Sequence, residues 1–335
     1  MHREQRGPAP GRGRFDMEKN KNRHLKSILQ ENVPWIMLIV FSALFAILFP
    51  QFLTFRNITN ILRNSSMIGI IAVGMTFAMI AGTFDLSVGS MMGLAAIITL
   101  KMSPTDLPRT LLTILAAIAA GAVVGMVNGL IVGKYRTSSI ITTIGMEYVI
   151  LGITLVYTRG QHITIKGMYK PLEFLGKGRI GSIPFPIIIF LAVAVIGQLL
   201  LSLTRFGRHL YAAGGNPNTA ELSGINVGKV RVLAYMISGI TASIGGIMIA
   251  ARTQNLDPSF GFGQETDVLT CVLLGGVSLY GGKGSVIGTF AGTLLLYVVS
   301  NAMTLSGTAY ELQLICKGLI FLVTVAASVL WQKKG

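Results

Sequence analysis

From Pro34 to Trp331 the chain is an almost unbroken series of apolar runs separated by short polar breaks. The runs fall at 34–53, 64–82, 86–103, 110–133, 138–158, 184–204, 232–252, 265–280, 285–302 and 311–331. Each is close to the ~20 residues that a helix needs to cross a bilayer. The pattern predicts an all-α integral membrane protein, a polytopic bundle of about ten transmembrane helices with some broken or short helices. Residues 1–33 read as a disordered basic cytoplasmic tail, 34–331 as a single transmembrane domain, and 332–335 as a short cytoplasmic C-terminus. The Met17–Lys21 stretch resembles a second translation start, and the first run lacks a small-residue cleavage site, so it reads as an uncleaved span.

Composition sharpens this picture. Of 335 residues, 52% are hydrophobic and only 12% charged, against about 25% charged in soluble domains. The net charge of +15 does not point to nucleic acid, because the basic residues sit in short loops between apolar runs. Ten spans place both termini on one side. The tail, Lys134 and Arg136, the 205–231 stretch, Lys283 and Lys333-Lys334 gather most Lys and Arg there, which makes that side the cytoplasm. Residues 159–183 strain the rule: Arg159, Lys166, Lys170, Lys177 and Arg179 face outward in this topology. Either the span count is off by one or this loop docks an acidic soluble partner. The 253–264 stretch, with Asp257-Pro258, Gly261 and Gly263, predicts a constriction or short re-entrant turn.

Two interruptions carry the candidate chemistry. Gly82–Ser90 places Asp85, Ser87 and Ser90 at or inside the lip of the membrane domain. A carboxylate at the bilayer centre costs about 2.5–3.5 kcal/mol on insertion scales. Asp85 or Ser87 can offset that by capping a helix that starts near Leu86. Asp85 therefore reads either as a plain cap or as a group in a solute pathway. Asn128 lies in the fourth run, and Thr142, Thr143 and Glu147 in the fifth, with Thr143 and Glu147 on one helix face. Glu147 reads as a functional group or as one satisfied between helices. Glu311 and Lys317 are too far apart to pair along one helix face, so Lys317 snorkels or pairs elsewhere.

The second interruption, Arg205–Arg231, contains the turn Gly214–Asn218 and then a short helix over Thr219–Leu222 that stops at Gly224. This is a surface able to dock a partner, with Gly215, Asn216, Glu221 and Gly224 as its candidate residues. The segment Gly281–Ser285 lacks the glycine spacing of a phosphate-binding loop, so no nucleotide site is encoded there. It shares with Gly82–Ser90 a pattern of apolar run, glycine break and serine, which fits a tight turn or a remote internal repeat. No cofactor, metal or catalytic constellation is predicted.

Three ordered pieces carry a resemblance. They are Gly82-Thr83-Phe84-Asp85-Leu86-Ser87-Val88-Gly89-Ser90; Ala213–Asn216 continuing through Ala220–Val227; and Leu274-Gly275-Gly276 through Gly281-Gly282-Lys283-Gly284-Ser285. Together they resemble the integral membrane permease subunit of bacterial ABC importers of the ribose, xylose and galactose type. Thr142–Met146 is a weaker fourth piece, and Thr83 and Phe84 depart from the usual Gly and Ile. The resemblance implies a pore in the bacterial cytoplasmic (inner) membrane, formed with a second permease subunit in a homo- or heterodimer. It implies cytoplasmic ATP-binding cassette subunits that engage 205–231, and an extracytoplasmic sugar-binding protein that delivers a monosaccharide or similar small polar solute. Asp85, Ser87, Asn128, Thr142, Thr143 and Glu147 are then substrate-pathway candidates, and ATP hydrolysis belongs to the partner. The competing reading is a stand-alone secondary transporter or channel for a small polar solute.

Overall fold

The computed structural model describes residues 32–102 and 105–332. Residues 1–31 of the predicted tail and the terminal lysines lie outside them, and the last two tail residues, Asn32 and Val33, are already helical. Among the described residues the chain forms thirteen α-helices. They are α1 (Asn32–Leu48), α2 (Phe55–Ile80), α3 (Val88–Met102), α4 (Leu107–Gly129), α5 (Ser139–Thr158), α6 (Lys170–Lys177), α7 (Phe185–Leu203), α8 (Arg205–Gly215), α9 (Pro217–Leu222), α10 (Val227–Thr253), α11 (Glu265–Leu274), α12 (Val286–Leu305) and α13 (Tyr310–Gln332). Extended backbone is confined to two short antiparallel ribbons. β1 (Ile163–Thr164) pairs with β4 (Asn255–Leu256), and β2 (Arg179–Ile180) pairs with β3 (Ile183–Pro184).

Seven helices are long and apolar enough to cross a membrane: α2, α4 with its C-terminal extension, α5, α7, α10, α12 and α13. The remaining apolar segments, α1, α3 and α11, are shorter. The sequence pattern located these elements but misplaced several ends. α2 begins at Phe55 rather than 64, because Thr54 accepts a bond from the Asn57 N–H and starts the helix in a polar stretch. Arg56 and Arg63 therefore ride on a helix. The run at 265–280 is helical only to Leu274, where Gly275 and Gly276 end it. Arg205–Gly215, read as an irregular basic stretch, is helical because Thr204 caps it through the Gly207 N–H. α10 starts at Val227, five residues ahead of the hydrophobic boundary, with Asn226 as its cap.

The core is built around α2, α3 and α10, whose side chains are largely buried. α4 crosses α10 at very close range. Its Gly121, Gly125 and Gly129 recur every fourth residue, and a Cβ at Gly121 would lie 2.2 Å from the Gly239 carbonyl oxygen. Small residues at this spacing let helix backbones touch where lipid supplies no hydrophobic drive. α5 runs parallel to α3: Thr143 accepts a bond from the Leu86 N–H near their N-terminal ends, and the Lys101 ammonium reaches the Tyr157 carbonyl near their C-terminal ends. α13 covers the rim and buries little of its surface. Its Lys317 pairs with Asp267 of α11 at 2.5 Å, so the lysine pairs across helices rather than along its own.

Where the chain stops being helical, its backbone groups find partners inside the protein. The Gly82 and Thr83 N–H groups fold back on the Met79 and Ala78 carbonyls. The Gly282 N–H bonds the Ile80 carbonyl, and the Tyr211 hydroxyl donates to the Gly284 carbonyl. Breaks 82–87 and 275–285 thereby lie against each other and against α8. A Cβ at Gly281 would sit 2.7 Å from Gly82 Cα, so glycine is what allows the contact.

The segment 257–264 turns back into the bundle from the C-terminal end of α10. Gly261 packs on Gly89, and the Phe260 carbonyl rests on Gly93, both within α3. This is the re-entrant turn that the Asp-Pro and glycine pattern predicts.

Two stability predictions follow from this packing. Gly121→Val forces α4 away from α10 and costs about 1–3 kcal/mol, as overpacking does; the check is a lowered melting temperature in detergent. Lys317→Ala leaves Asp267 uncompensated and costs about 3 kcal/mol. The double change Lys317→Met with Asp267→Leu recovers most of that loss in the same assay.

Candidate functional site

The start of α3 is a polar knot in an apolar setting. Asp85 is 2% exposed. Its Oδ1 accepts the Ser87 N–H at 3.2 Å and the Ser87 hydroxyl at 2.6 Å. Ser87 Oγ in turn accepts from Asn128 Nδ2 at 2.9 Å, which ties α4 to the knot. The Leu86 N–H donates to Thr143 Oγ1 at 3.1 Å, which ties in α5, and the Tyr235 hydroxyl donates to the Phe84 carbonyl at 2.8 Å, which ties in α10. Ser238 of α10 also faces Asp85, outside hydrogen-bonding geometry. One turn of non-helical chain thus joins four helices. Two donors on one carboxylate oxygen, with a helix N-terminus beside it, are the kind of compensation a buried charge needs.

Thr143 lies four residues past the start of α5, so the knot sits about 6 Å along that helix from its N-terminal end. Asp85, Ser87, Asn128 and Thr143 are therefore brought together by direct bonds. Thr142 is not: it points to the inner edge of α5 and bonds Thr137 at 3.0 Å. Glu147 is also apart, one turn further along α5 and 5% exposed, against Glu265 at the start of α11. Sequence reasoning passed over Glu265, Tyr235 and Ser238. Tyr235 and Ser238 lie on one face of a long apolar helix whose partner is set only by the fold.

A second polar region lies at the same end of the bundle. Asn216 caps α9 through the Thr219 N–H at 3.0 Å, and Gly224, at φ +81°, ends the turn after it. Only glycine takes up that backbone conformation without strain. Gly215 has open space where a side chain would stand, whereas a Cβ on Gly282 would sit 2.6 Å from Gly215 Cα. Glu221 receives both its bonds from one nitrogen of Arg136, at 2.7 and 2.8 Å.

Arg136 follows a π-helical turn, Leu130–Lys134, at the end of α4 and itself adopts φ +55°. The two irregularities aim the α4–α5 hairpin at α9. Between hairpin, α9 and the start of α10 lies a cleft of about 880 Å³, with Lys134, Arg136, Glu221, Gly224, Lys229 and Leu233 among its lining residues. Leu222 at the tip of α9 is 91% exposed.

At the opposite end, the basic 159–183 stretch folds over the bundle as β1, α6 and the β2–β3 hairpin. Glu173 of α6 bonds Lys177 at 2.8 Å and Gln254 at 2.9 Å. Lys177, followed by Gln254, holds the Glu173 carboxyl below its ordinary range. His162 pairs with Asp257 at 2.9 Å, and Ser259, with His162 behind it, lowers Asp257 likewise.

The knot makes a direct prediction. Ser87→Ala removes a donor from Asp85 and an acceptor from Asn128, costing about 1–3 kcal/mol, whereas Thr142→Ala at the edge costs under ~0.5 kcal/mol. Thermal unfolding of the two variants side by side checks the difference, and equal effects would contradict the assignment.

The geometry is that of a polytopic bundle with interrupted helices and one structured polar end, and comparison with known proteins agrees. The profile of the family described as "Branched-chain amino acid transport system / permease component" matches residues 57–325. The ribose import permease protein RbsC of Escherichia coli K12 is 37% identical over 303 residues, covering 90% of this chain and 94% of that protein. The galactose/methyl galactoside import permease protein MglC of Haemophilus influenzae is 34% identical over 334 residues, covering 95% and 98%. The L-arabinose transport system permease protein AraH of Escherichia coli K12 is 34% identical over 293 residues, covering 86% and 88%. No solved structure matches the chain. A helical, multi-span chain matched over most of its length by permeases of sugar import systems belongs to this family of transport-system permease components.

Proposed function

We propose that this protein is the pore-forming permease subunit of an ATP-driven importer in a bacterial inner membrane, translocating a monosaccharide or similar small polar solute. Membership of the permease family supports the class, and the relatives named for ribose, galactose and arabinose import support the solute. In this reading an external binding protein delivers the solute, a second permease subunit completes the pore, and cytoplasmic ATP-binding subunits supply the energy.

The contacts between chain breaks support a ten-pass topology in which α1, α3 and α11 join the seven long helices. One end gathers Asn57 with Asn301, His162 with Asp257, and Glu173 with Gln254. The other gathers Arg136 with Glu221, Arg231 with the Ala81 carbonyl, and Gly82 with Gly214 and Gly281. With the sequence ahead of α1 and after α13 counted to the second end, it collects 17 Lys and Arg against 9 at the first, so the rule that basic loops stay inside supports a cytoplasmic second end. Both termini then face the cytoplasm.

The observation that carries the proposal is the α8–α9 platform. It is a capped, glycine-terminated helix with an exposed apolar tip, joined by an ion pair to the hairpin between α4 and α5. A partner that displaces α9 would move that hairpin, and with it the Asp85–Ser87–Asn128–Thr143 knot at the foot of α3. We assign the knot, with Thr142 at its edge and Glu147 above it, to the solute pathway. Hydroxyls and amides bind a sugar weakly enough to release it, whereas tight binding to one state would hold the cycle there.

The test is co-purification with the ATPase subunit of the same system. Leu222→Asp or Gly224→Val should abolish association, and Glu221→Lys, which repels Arg136, should reduce solute-driven ATP hydrolysis at least tenfold. Association and hydrolysis intact in all three would overturn the assignment of this surface.

A further inference from the structure

The transport reading places Glu147 along the solute pathway but gives no role to the second acid it meets, Glu265. Glu147 lies eight residues into the twenty-residue α5, about 12 Å along it, and so near the middle of the bundle. Its carboxyl lies against that of Glu265, the first residue of α11. Glu147 Oε1 and Glu265 Oε2 are buried, and neither accepts a hydrogen bond from a donor group. Gly89 of α3 closes one side of the pair: a Cβ there would sit 2.7 Å from Glu265 Oε2.

Two further groups lie near this level. The Gly263 N–H of the re-entrant turn is close to both carboxyls. Ser90 is 4% exposed, and its hydroxyl has no partner. The Leu86–Thr143 and Lys101–Tyr157 contacts fix α3 and α5 in parallel register. Ser90, one turn beyond Leu86, therefore stands at the level of Glu147, one turn beyond Thr143.

The chemistry of the set selects its ligand. Two bare carboxylates in contact in a low-dielectric interior repel each other and cannot both stay buried. A metal ion would need more oxygen or nitrogen ligands. Among the described residues no third His, Cys, Asp or Glu joins the pair, and the Gly263 N–H close to both acids would repel a cation. A single proton fits, shared as one carboxylic acid donating to one carboxylate, with the nearby Gly263 N–H beside them.

The neighbouring charges leave this balance in place. Asp267, two residues along α11, is neutralised by Lys317 of α13. Ahead of α3, Asp85 is held by Ser87, and Lys101 is engaged at the far end of α3. α4 and the π-helical turn bring no acid beside Glu147: Asp106 lies at the outer end of α4, and Lys134 and Arg136 at the inner edge.

We propose that Glu147 and Glu265 form a buried proton-binding site whose shared proton latches α5 to the re-entrant turn and α11. The latch matters mechanically because α5 is otherwise lightly held. Much of its surface is exposed, and its main neighbour is α3. Beside the acids it touches the turn through Tyr148, whose ring meets Phe262 edge-on at 5.6 Å. When the proton leaves, like charges face each other across this contact, and α5 separates from the turn. The inference goes beyond the transport reading and does not depend on the solute.

The test needs no transport assay. Infrared spectroscopy of the purified protein in lipid nanodiscs should show a protonated-carboxyl stretching band at neutral pH that disappears in a one-proton step as pH rises. Glu147→Gln and Glu265→Gln should each abolish the band, and Asp85→Asn should leave it. Spin labels at Tyr148→Cys and Phe262→Cys should move apart over the same pH step, and Glu147→Gln in that background should remove the movement. A band that persists in either glutamine variant, its absence from the wild type at every pH, its loss in Asp85→Asn, or label distances indifferent to pH would each overturn the proposal.

Discussion

Inside a bilayer the backbone has no water to fall back on, and each unsatisfied N–H or C=O costs several kcal/mol. This constraint decides where the chain can depart from helix. Breaks 82–87 and 275–285 survive because each supplies what the other lacks: the Gly282 N–H meets the Ile80 carbonyl, while Tyr211 and Tyr235 place hydroxyls on the carbonyls of Gly284 and Phe84. The glycines there serve close approach, and the serines and Asp85 serve as local acceptors. Everything else of functional interest hangs on these interruptions, since they set the foot of α3, the seat of α8 and the register of α5.

The same constraint explains why the polar groups cluster as they do. Asp85 remains buried because Ser87 donates to it twice, and Ser87 is in turn held by Asn128 from another helix. The knot is thus both a structural junction and a concentration of buried hydrogen-bonding groups. That coincidence is economical for a transporter: a junction shared by α3, α4, α5 and α10 registers any movement of the hairpin that Arg136 ties to α9. The sparse charge of the chain leaves little within it to power uphill movement, consistent with energy arriving from outside the polypeptide.

Much of this was legible in the sequence because hydropathy reports lipid contact directly. The ten apolar runs, the Asp85–Ser87 turn, the stop at Gly224 and the re-entrant turn near Gly261 all follow from local chemistry. Misplaced ends arose where local capping outweighs hydropathy, as at Thr54, Thr204 and Asn226, each of which starts a helix in polar sequence. Partners distant in the chain were not legible. Nothing near Glu147 names Glu265, and nothing near Glu221 names Arg136, since those pairs depend on the parallel register of α3 and α5 and on the aim of a hairpin. Thr142 and Thr143 look alike in sequence; only the rotation of α5 sends one inward and the other to the edge.

The central claim is that this protein conducts a solute but is moved by a separate nucleotide-hydrolysing partner. Uptake of radiolabelled ribose, galactose or arabinose into proteoliposomes, with the permease alone and with its ATPase subunit, binding protein and ATP present, tests it most directly. The account predicts accumulation against a gradient only with the complete set. Accumulation by the permease alone would contradict it.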